Sequence, residues 1–166
     1  AIHPNNIKRV IRALEYFQST GQKFSDHNKE ERQKGSPYNF LYLVLTMNRE
    51  VLYERIDKRV DQMMEEGLVK EVKELLDAGY SRNLVSMQGL GYKEIASALF
   101  KECTMEEAVY RLKRDTRHFA KRQMTWFRRE RDVTMIDKDN FLNNHEIVNY
   151  IMKLAAEKGI CSCREG

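Results

Sequence analysis

One long stretch of cationic and apolar residues, from 104 to 131, constrains the fold of this chain more than any other feature. Thr104 and Glu107 have the T-x-x-E spacing of a capping box, in which the hydroxyl and the carboxylate each satisfy a free backbone N–H at a helix start. Apolar residues then recur mostly at helical spacing: Ala108, Leu112, Phe119, Met124 and Phe127. The sequence therefore predicts a long amphipathic helix that begins after Thr104 and runs to about Arg131.

The polar side of this predicted helix is strongly basic. Residues 111 to 131 contain nine Lys or Arg and two acids, a local charge of +7 in a chain whose total is +4. A basic helix face is often only solvated. Here Gln123, Thr125 and Trp126 lie among the cations, and such residues can hydrogen-bond bases or sugars or stack on a base while Lys and Arg neutralise phosphates. The pattern favours a nucleic-acid-binding surface over a solvated face.

Helical spacing predicts five further helices along the chain. They run from Ile7 to Thr20, from Asn48 to Gly67, from Leu68 to Gly79, from about Tyr92 to Phe100, and around Ile147 to Leu154. Residues 21 to 39 are polar and contain Gly35, Ser36 and Pro37, so they are predicted to form a mobile loop. The chain is thus expected to be mainly α, with about six helices.

A short apolar run at residues 40 to 46, bounded by turn residues, predicts a β-strand. Because the run is continuous, it is typical of a strand buried on both faces, as in a parallel sheet. The only second candidate is Val133 to Ile136. The predicted fold therefore contains one or two buried strands.

Size and cysteine content limit the class of protein. A chain of 166 residues can bury one core, and no apolar run approaches the ~20 residues that span a bilayer. The sequence pattern leads us to expect no signal peptide. Cys103, Cys161 and Cys163 are odd in number and two lie in a polar tail, which argues against a disulfide scaffold and for a cytoplasmic setting without membrane contact. Cys161 and Cys163 are either half of a metal site or reduced thiols; since no further ligands are evident nearby, we favour thiols and predict no metal ligand in the chain.

Two smaller patterns have both a structural and a functional interpretation. Gly89 and Gly91 precede a helix start, where glycines let backbone N–H groups approach a phosphate. The third glycine of G-x-G-x-x-G is absent, which favours a tight turn, although Tyr92 and Lys93 would supply a stacking ring and a cation beside it. Arg55 and Arg59 lie four residues apart on one side of a helix. Either they form surface ion pairs with neighbouring acids, or one faces a phosphate at the end of the preceding strand.

The familiar catalytic motifs are absent. The sequence has no G-x-x-x-x-G-K-[ST], no H-E-x-x-H and no zinc-finger spacing, and its four histidines are scattered. The residues alone define no complete active site.

Four segments in order nevertheless resemble one known family. They are HPNNIKRVIRALE at 3–15, RIDKRVDQM at 55–63, QGLGYKE at 88–94 and KRQMTWFRR at 121–129. Together, over residues 2 to 136, the chain resembles the C-terminal half of the bacterial tRNA dimethylallyltransferases, or tRNA isopentenyltransferases. The resemblance implies transfer of a dimethylallyl group from dimethylallyl diphosphate, with Mg²⁺, to N6 of the adenine 3′-adjacent to the tRNA anticodon. It also implies a mainly α part of an α/β P-loop nucleoside-triphosphate-hydrolase-like fold.

The resemblance also assigns roles to residues. It implies that Arg59 binds the diphosphate of the allyl donor and that three segments contact the tRNA anticodon stem-loop. The implied tRNA-binding residues are Lys8, Arg9, Val10, Ile11, Arg12, Gln88, Gly89, Leu90, Gly91, Tyr92, Lys93, Lys121, Arg122, Gln123, Met124, Thr125, Trp126, Phe127 and Arg128. Residues 1–142 would belong to the transferase domain and 143–166 to a C-terminal helix and tail.

The family's P-loop, its general-base aspartate and its pyrophosphate-site threonine lie in an N-terminal half that this sequence does not contain. The resemblance therefore implies that the chain has no catalytic residue of its own, holds no Mg²⁺ ligand, needs that half as a partner and is inactive alone. Two other interpretations remain open: a non-catalytic RNA-binding helical module, and a helical protein–protein adaptor whose cations only solvate it. Weak, salt-insensitive RNA binding would favour the adaptor.

Overall fold

The computed structural model describes residues 3–161, and in that range the chain forms seven α-helices and two β-strands. In chain order they are α1 Ile7–Thr20, α2 Phe24–Gln33, β1 Tyr42–Thr46, α3 Arg49–Glu65, α4 Leu68–Asp77, α5 Tyr92–Leu99, α6 Met105–Phe127, β2 Val133–Asp137 and α7 Asn144–Glu157. Short 3₁₀ turns occur at Ser86–Gln88 and Lys138–Asn140. The predicted mainly α chain with two short strands is confirmed. The chain divides into two compact units between Phe40 and Leu41.

The first unit consists of α1 and α2. The side chain of Asn6 accepts a hydrogen bond from the backbone of Arg9 at the start of α1, and Gly21 ends the helix in the left-handed conformation. The prediction of a loop over residues 21 to 39 is wrong for Phe24–Gln33, which forms α2. This helix has no apolar face for a periodicity analysis to find, but it is rich in helix-forming Lys, Glu and Gln. Its Phe24 ring packs edge-on against Tyr16 of α1, with ring centroids 5.3 Å apart.

The two strands of the second unit form a parallel ladder. The register runs from Tyr42 beside Val133 to Thr46 beside Asp137. The prediction that the first strand is buried on both faces is wrong, because Leu45 is 53% exposed and Met135 of β2 is 38% exposed. Within residues 3–161 each strand has only one neighbour. A two-stranded sheet cannot shield its side chains as the interior of a larger sheet does.

Helices α3 to α6 enclose the main hydrophobic core. Its buried members are Val60, Leu68, Val72, Met87, Ile95, Ala96, Ala108 and Leu112. Asn48 caps α3, and Thr104 with Glu107 forms the predicted capping box of α6. Helix α6 ends at Phe127 instead of about Arg131, and Asp132 adopts a left-handed backbone conformation before β2. The two longest described helices, α3 and α6, thus pack against each other beside this core.

Candidate nucleic-acid interface

The segment from Lys121 to Arg128 covers the C-terminal third of α6 and the residue after it. Met124 and Phe127 are half-buried, whereas the polar and cationic members of the segment are exposed. The Phe127 ring lies edge-on to Tyr42 of β1, with centroids 6.3 Å apart, and to Trp126, with centroids 5.2 Å apart. Trp126 keeps 53% of its surface exposed. The end of α6 therefore presents a fixed aromatic face among cations.

At least three of the nine cations in the basic stretch form ion pairs within the described part of the protein. Lys113 and Arg117 form ion pairs with Asp61 and Asp57 of α3, and both cationic side chains are only 23% exposed. Arg114 pairs with Asp115 beside it at 2.8 Å. From the sequence, all nine cations were expected to be surface charge. The signal for the ion pairs was the matching four-residue spacing of Asp57 and Asp61 with Lys113 and Arg117.

Five of the other cations form no ion pair within the described part of the chain: Arg111, Lys121, Arg122, Arg128 and Arg129. Arg122 also lies over the Phe119 ring, 5.8 Å from its centroid. Four of these five positions lie in or next to the Lys121–Arg128 segment. The net positive surface of α6 is thus concentrated at its C-terminal end, where Trp126 also lies.

The glycine segment at Gln88 to Lys93 forms a tight turn into α5. Gly91 has a φ of 99°, a conformation that favours glycine. Leu90 and Tyr92 pack against the core. The Tyr92 hydroxyl donates a hydrogen bond to Glu71 of α4, and this bond raises the pKa of Tyr92 above its ordinary value. Gly91 and Tyr92 therefore have structural roles, and Tyr92 is not a free stacking ring.

Glu94, the third residue of α5, was not among the predicted site residues. One of its carboxylate oxygens, Oε2, accepts a hydrogen bond from the Gly91 backbone at 2.9 Å, which is the glutamate half of a capping box. The residue is buried, which is rare for a glutamate. A capping glutamate three residues after Gly91 was visible in the sequence, but its burial depends on the packing of α5 against α6.

A cleft of about 260 Å³ lies where α5 meets α6. Its lining residues are Arg82, Gln88, Lys93, Glu94, Ala96, Ser97, Cys103, Arg111 and Asp115. Arg114 is the main cause that holds the pKa of Asp115 below its ordinary value, with a smaller contribution from Lys93. The structure therefore brings the glycine segment to the N-terminal half of α6. The Lys121–Arg128 segment begins six residues beyond Asp115, about 9 Å further along the helix axis.

Arg59 lies on α3 at a second cleft, of about 330 Å³, whose walls are mostly apolar. The cleft is lined by Arg55, Ile56, Arg59, Val60, Met63, Leu90, Leu112 and Thr116. The Arg59 guanidinium is 3.5 Å from Glu66, and both side chains are more than half exposed. The ion pair is therefore weak and exchangeable.

The surface ion-pair interpretation is wrong for Arg55. Among the described residues it has no ion pair, because Asp57 and Asp61 pair with α6 instead. Arg55 also lines a third cleft beside the carboxyl ends of the two strands, together with Met47 and Asp139. There the Asn48 backbone donates a hydrogen bond to Asp139 at 2.8 Å. Ligands of α/β sheets gather at this end of the strands.

The predicted contact segment from Lys8 to Arg12 belongs to α1 in the first compact unit. Lys8, Arg9 and Arg12 are exposed, and Val10 is half-buried. Ile11 is also exposed, and so are the neighbouring apolar residues Ile7, Leu14 and Phe17. This helix thus presents both cations and an apolar stripe to solvent.

No group of three or more His, Cys, Asp or Glu within residues 3–161 is arranged to hold a metal ion. Cys103 and Cys161 are free, half-buried thiols, and the prediction for Cys163 falls outside the described residues. The described side chains therefore offer no three-residue cluster to Mg²⁺. In the same range, the structure contains no helix of the length and apolarity needed to cross a membrane.

Comparison with known proteins identifies the family. The family model described as IPP transferase matches residues 1–130 of the chain. The chain belongs to the IPP transferase family. It is 58% identical over 160 residues to a tRNA dimethylallyltransferase of Lachnoclostridium phytofermentans and 50% identical over 159 residues to one of Acetivibrio thermocellus. Each alignment covers 96% of this chain and 51% of the relative, so the chain spans about half the length of these IPP transferases.

Two solved structures of the family share the fold. The full-length tRNA isopentenylpyrophosphate transferase of Bacillus halodurans is 46% identical, with a TM-score of 0.70 over 95% of this chain and 48% of its own. A eukaryotic dimethylallyltransferase, described as acting on tRNA, is 26% identical with a TM-score of 0.75 over 99% of this chain and 44% of its own. These comparisons confirm the resemblance found in the four sequence segments and the predicted fold class, a mainly α part of a P-loop-like fold.

Proposed function

We propose that this chain is part of a cytoplasmic tRNA-modifying prenyltransferase. The whole protein would transfer a dimethylallyl group from dimethylallyl diphosphate to N6 of the adenine 3′-adjacent to the anticodon. Membership of the IPP transferase family supports the proposal, and so do curated relatives at 58% and 50% identity that are named tRNA dimethylallyltransferases.

The observation that carries the RNA-binding part is the C-terminal end of α6. Lys121, Arg122 and Arg128 are exposed and form no ion pair with a described residue, and Trp126 offers half of its surface beside them. Cations neutralise the phosphates that dominate RNA affinity, while an exposed indole can stack on an unpaired base of a loop. A merely solvated face does not require that arrangement. This part of the chain would grip the anticodon stem-loop.

Arg59 would bind the diphosphate of the allyl donor. The carbon–oxygen bond of the donor breaks as the diphosphate leaves, so charge accumulates on its oxygens and must be neutralised in the transition state. A guanidinium is suited to this because its planar fork contacts two phosphate oxygens at once. The Glu66 contact is weak enough to exchange for a diphosphate. The apolar walls of the cleft would exclude water from that contact.

Part of the chemistry depends on groups outside the described residues. When bound, Mg²⁺ would neutralise further charge on the diphosphate, and its ligands would come from the other half of the protein. The adenine must also leave its stack to reach the donor. Trp126 would assist by holding a neighbouring base.

The test is a transfer assay with the full-length protein that contains this chain. Incubation with dimethylallyl diphosphate, Mg²⁺ and unmodified tRNA should yield N6-dimethylallyladenosine at the adenine 3′ of the anticodon, detected by nucleoside mass spectrometry. A tRNA in which that adenine is replaced by guanine should remain unmodified. Tight tRNA binding without any product would contradict the proposal and identify a non-catalytic RNA-binding module.

A further inference from the structure

The cleft between α5 and α6 contains a carboxylate oxygen that helix capping does not explain. The Glu94 side chain is only 4% exposed, and its Oε2 is occupied by the Gly91 backbone. The other oxygen, Oε1, accepts no hydrogen bond from any described residue. Lys93 Nζ lies 3.3 Å from Oε1, close enough for an ion pair but not oriented as a hydrogen-bond donor. Buried polar atoms in native proteins are normally hydrogen-bonded, so this oxygen points to a missing donor.

The surroundings of Glu94 indicate the chemistry of that donor. Lys93 and Arg111 line the same cleft, and Arg111 is an exposed cation without an ion pair to any residue in the described range. A fitting ligand thus carries a hydrogen-bond donor beside negative charge. A nucleotide combines the two. A volume of about 260 Å³ lies below the roughly 300–1,000 Å³ of pockets for drug-sized ligands, so there is room for one base or one sugar.

We propose that this cleft binds a single nucleotide of the RNA partner. Glu94 Oε1 accepts a hydrogen bond from that nucleotide, while Lys93 and Arg111 contact the adjoining phosphates. The donor is either a base N–H or a ribose 2′-hydroxyl. Lys93 is 40% exposed whereas Glu94 is 4% exposed, so Lys93 can exchange Glu94 for a phosphate only because the nucleotide gives the buried carboxylate a hydrogen bond in return. The assignment rests on the proposed function in taking tRNA as the partner, and it makes Glu94 a specificity-determining residue.

Glu94→Gln tests the assignment without removing the helix cap. The amide oxygen of Gln can still accept the Gly91 N–H, while an NH₂ donor replaces Oε1 and faces the donor of the nucleotide. Affinity of the full-length protein for the anticodon stem-loop should fall about tenfold or more. The salt dependence of binding should not change, because no phosphate contact is lost. An unchanged melting temperature would confirm that the cap is intact.

Glu107→Gln is the matched control. Glu107 performs the same capping role for Thr104 at the start of α6, but it is exposed and does not line the cleft. The same substitution there should leave RNA affinity unchanged. Arg111→Ala provides a second variant that does not depend on the cap. It should weaken binding and reduce the slope of log affinity against log salt by about one.

Modified RNAs distinguish the two donor sources. Stem-loops would carry, at one loop position at a time, either 2′-deoxyribose or a base lacking its exocyclic amino group. At one position the change should weaken wild-type binding and remove most of the Glu94→Gln penalty, as a double-mutant cycle requires for a direct contact. Two results would overturn this assignment and leave the proposed function intact. In the first, the Glu94→Gln protein binds the stem-loop as tightly as the wild type does. In the second, the loss of affinity caused by the RNA modification is the same at every loop position. Failure of the wild-type protein to bind the stem-loop would overturn the proposed function and the assignment together.

Discussion

Arg117 of α6 forms an ion pair with Asp57 of α3, sixty residues earlier in the chain. The Arg117 side chain is 23% exposed and that of Asp57 is 37% exposed, so the pair lies partly within the contact between the two helices. One turn away, Lys113 and Asp61 repeat the arrangement. These two pairs fix α6 against α3 and distinguish structural cations from those that we propose to bind RNA.

Asp57→Ala should lower the free energy of unfolding of the protein by about 1 kcal/mol, near the upper end for exposed pairs because the contact is partly desolvated. Arg117→Ala should cost a similar amount, and the double variant should cost less than the sum. Urea denaturation of all three variants measures the coupling. Additive losses would show that the pair contributes nothing beyond its separate side chains.

Arg117→Ala should also leave the salt dependence of RNA binding unchanged, since Asp57 already neutralises this cation. Filter binding between about 50 and 200 mM salt measures the slope. A slope that falls by about one would place Arg117 in the RNA interface and contradict its structural role.

The pKa of Asp115 is held below its ordinary value, chiefly by the hydrogen bond from Arg114. A carboxyl whose folded pKa is depressed contributes stability that is present above its unfolded pKa of about 3.9 and is lost as the pH falls through the folded pKa. The free energy of unfolding of the wild-type protein should therefore fall more steeply below about pH 4 than that of Asp115→Asn. Denaturant titrations from pH 6 to about pH 3 compare the two; identical acid limbs would remove Asp115 from the linkage.

Arg59→Ala in the full-length protein should lower turnover and raise the apparent KM for the allyl donor while leaving tRNA affinity unchanged. The reason is that a guanidinium on the leaving diphosphate strengthens its contact as charge develops. Arg59→Lys should restore only part of the activity, because an ammonium cannot reproduce the planar fork. Steady-state kinetics with donor and tRNA varied separately measure the effect.

Lys58→Ala is the control for Arg59, since Lys58 is an exposed cation on the same helix that lines none of the clefts described above. It should behave like the wild type within a factor of a few. An Arg59→Ala enzyme that lost tRNA affinity and kept its donor KM would refute the diphosphate assignment.

The exposed sheet predicts self-association of the isolated 166-residue chain. Leu45 and Met135 are partly exposed on strands that have one neighbour each among the described residues, and unpaired strand edges promote association. Sedimentation should show dimers or larger species at high concentration, and Leu45→Lys should reduce them. A monodisperse wild-type monomer would contradict the prediction.

Local signals in the sequence were sufficient to predict most of the helices. The Thr104 capping box, the Asn48 cap and Gly21 mark helix ends through contacts within four residues, and the structure confirms all three. Helix α2 was not predicted because its apolar residues do not recur at helical spacing. Its packing on α1 involves the contact between the Tyr16 and Phe24 rings, which come together only when the unit folds.

The candidate sites were only partly predictable, because they depend on distant contacts. The cations of α6 were visible, but whether each is available depends on Asp57 and Asp61 about fifty to sixty residues away. Tyr92 lies in a predicted tRNA-contacting segment, and only the structure shows its hydrogen bond to Glu71 of α4. The burial of Glu94 likewise follows from the packing of α5 on α6. The four family segments predicted the fold class more securely than any local pattern did.

The central claim is that the end of α6 binds tRNA through its free cations. In the full-length protein, a triple variant with Lys121, Arg122 and Arg128 changed to Ala is compared with one in which Lys70, Lys73 and Lys153, exposed cations of α4 and α7, are changed. The measurement is the slope of log affinity for tRNA against log salt. The account predicts that the first triple variant loses about one unit of slope for each phosphate contact removed, while the second matches the wild type. Equal slopes for all three proteins would remove α6 from the interface.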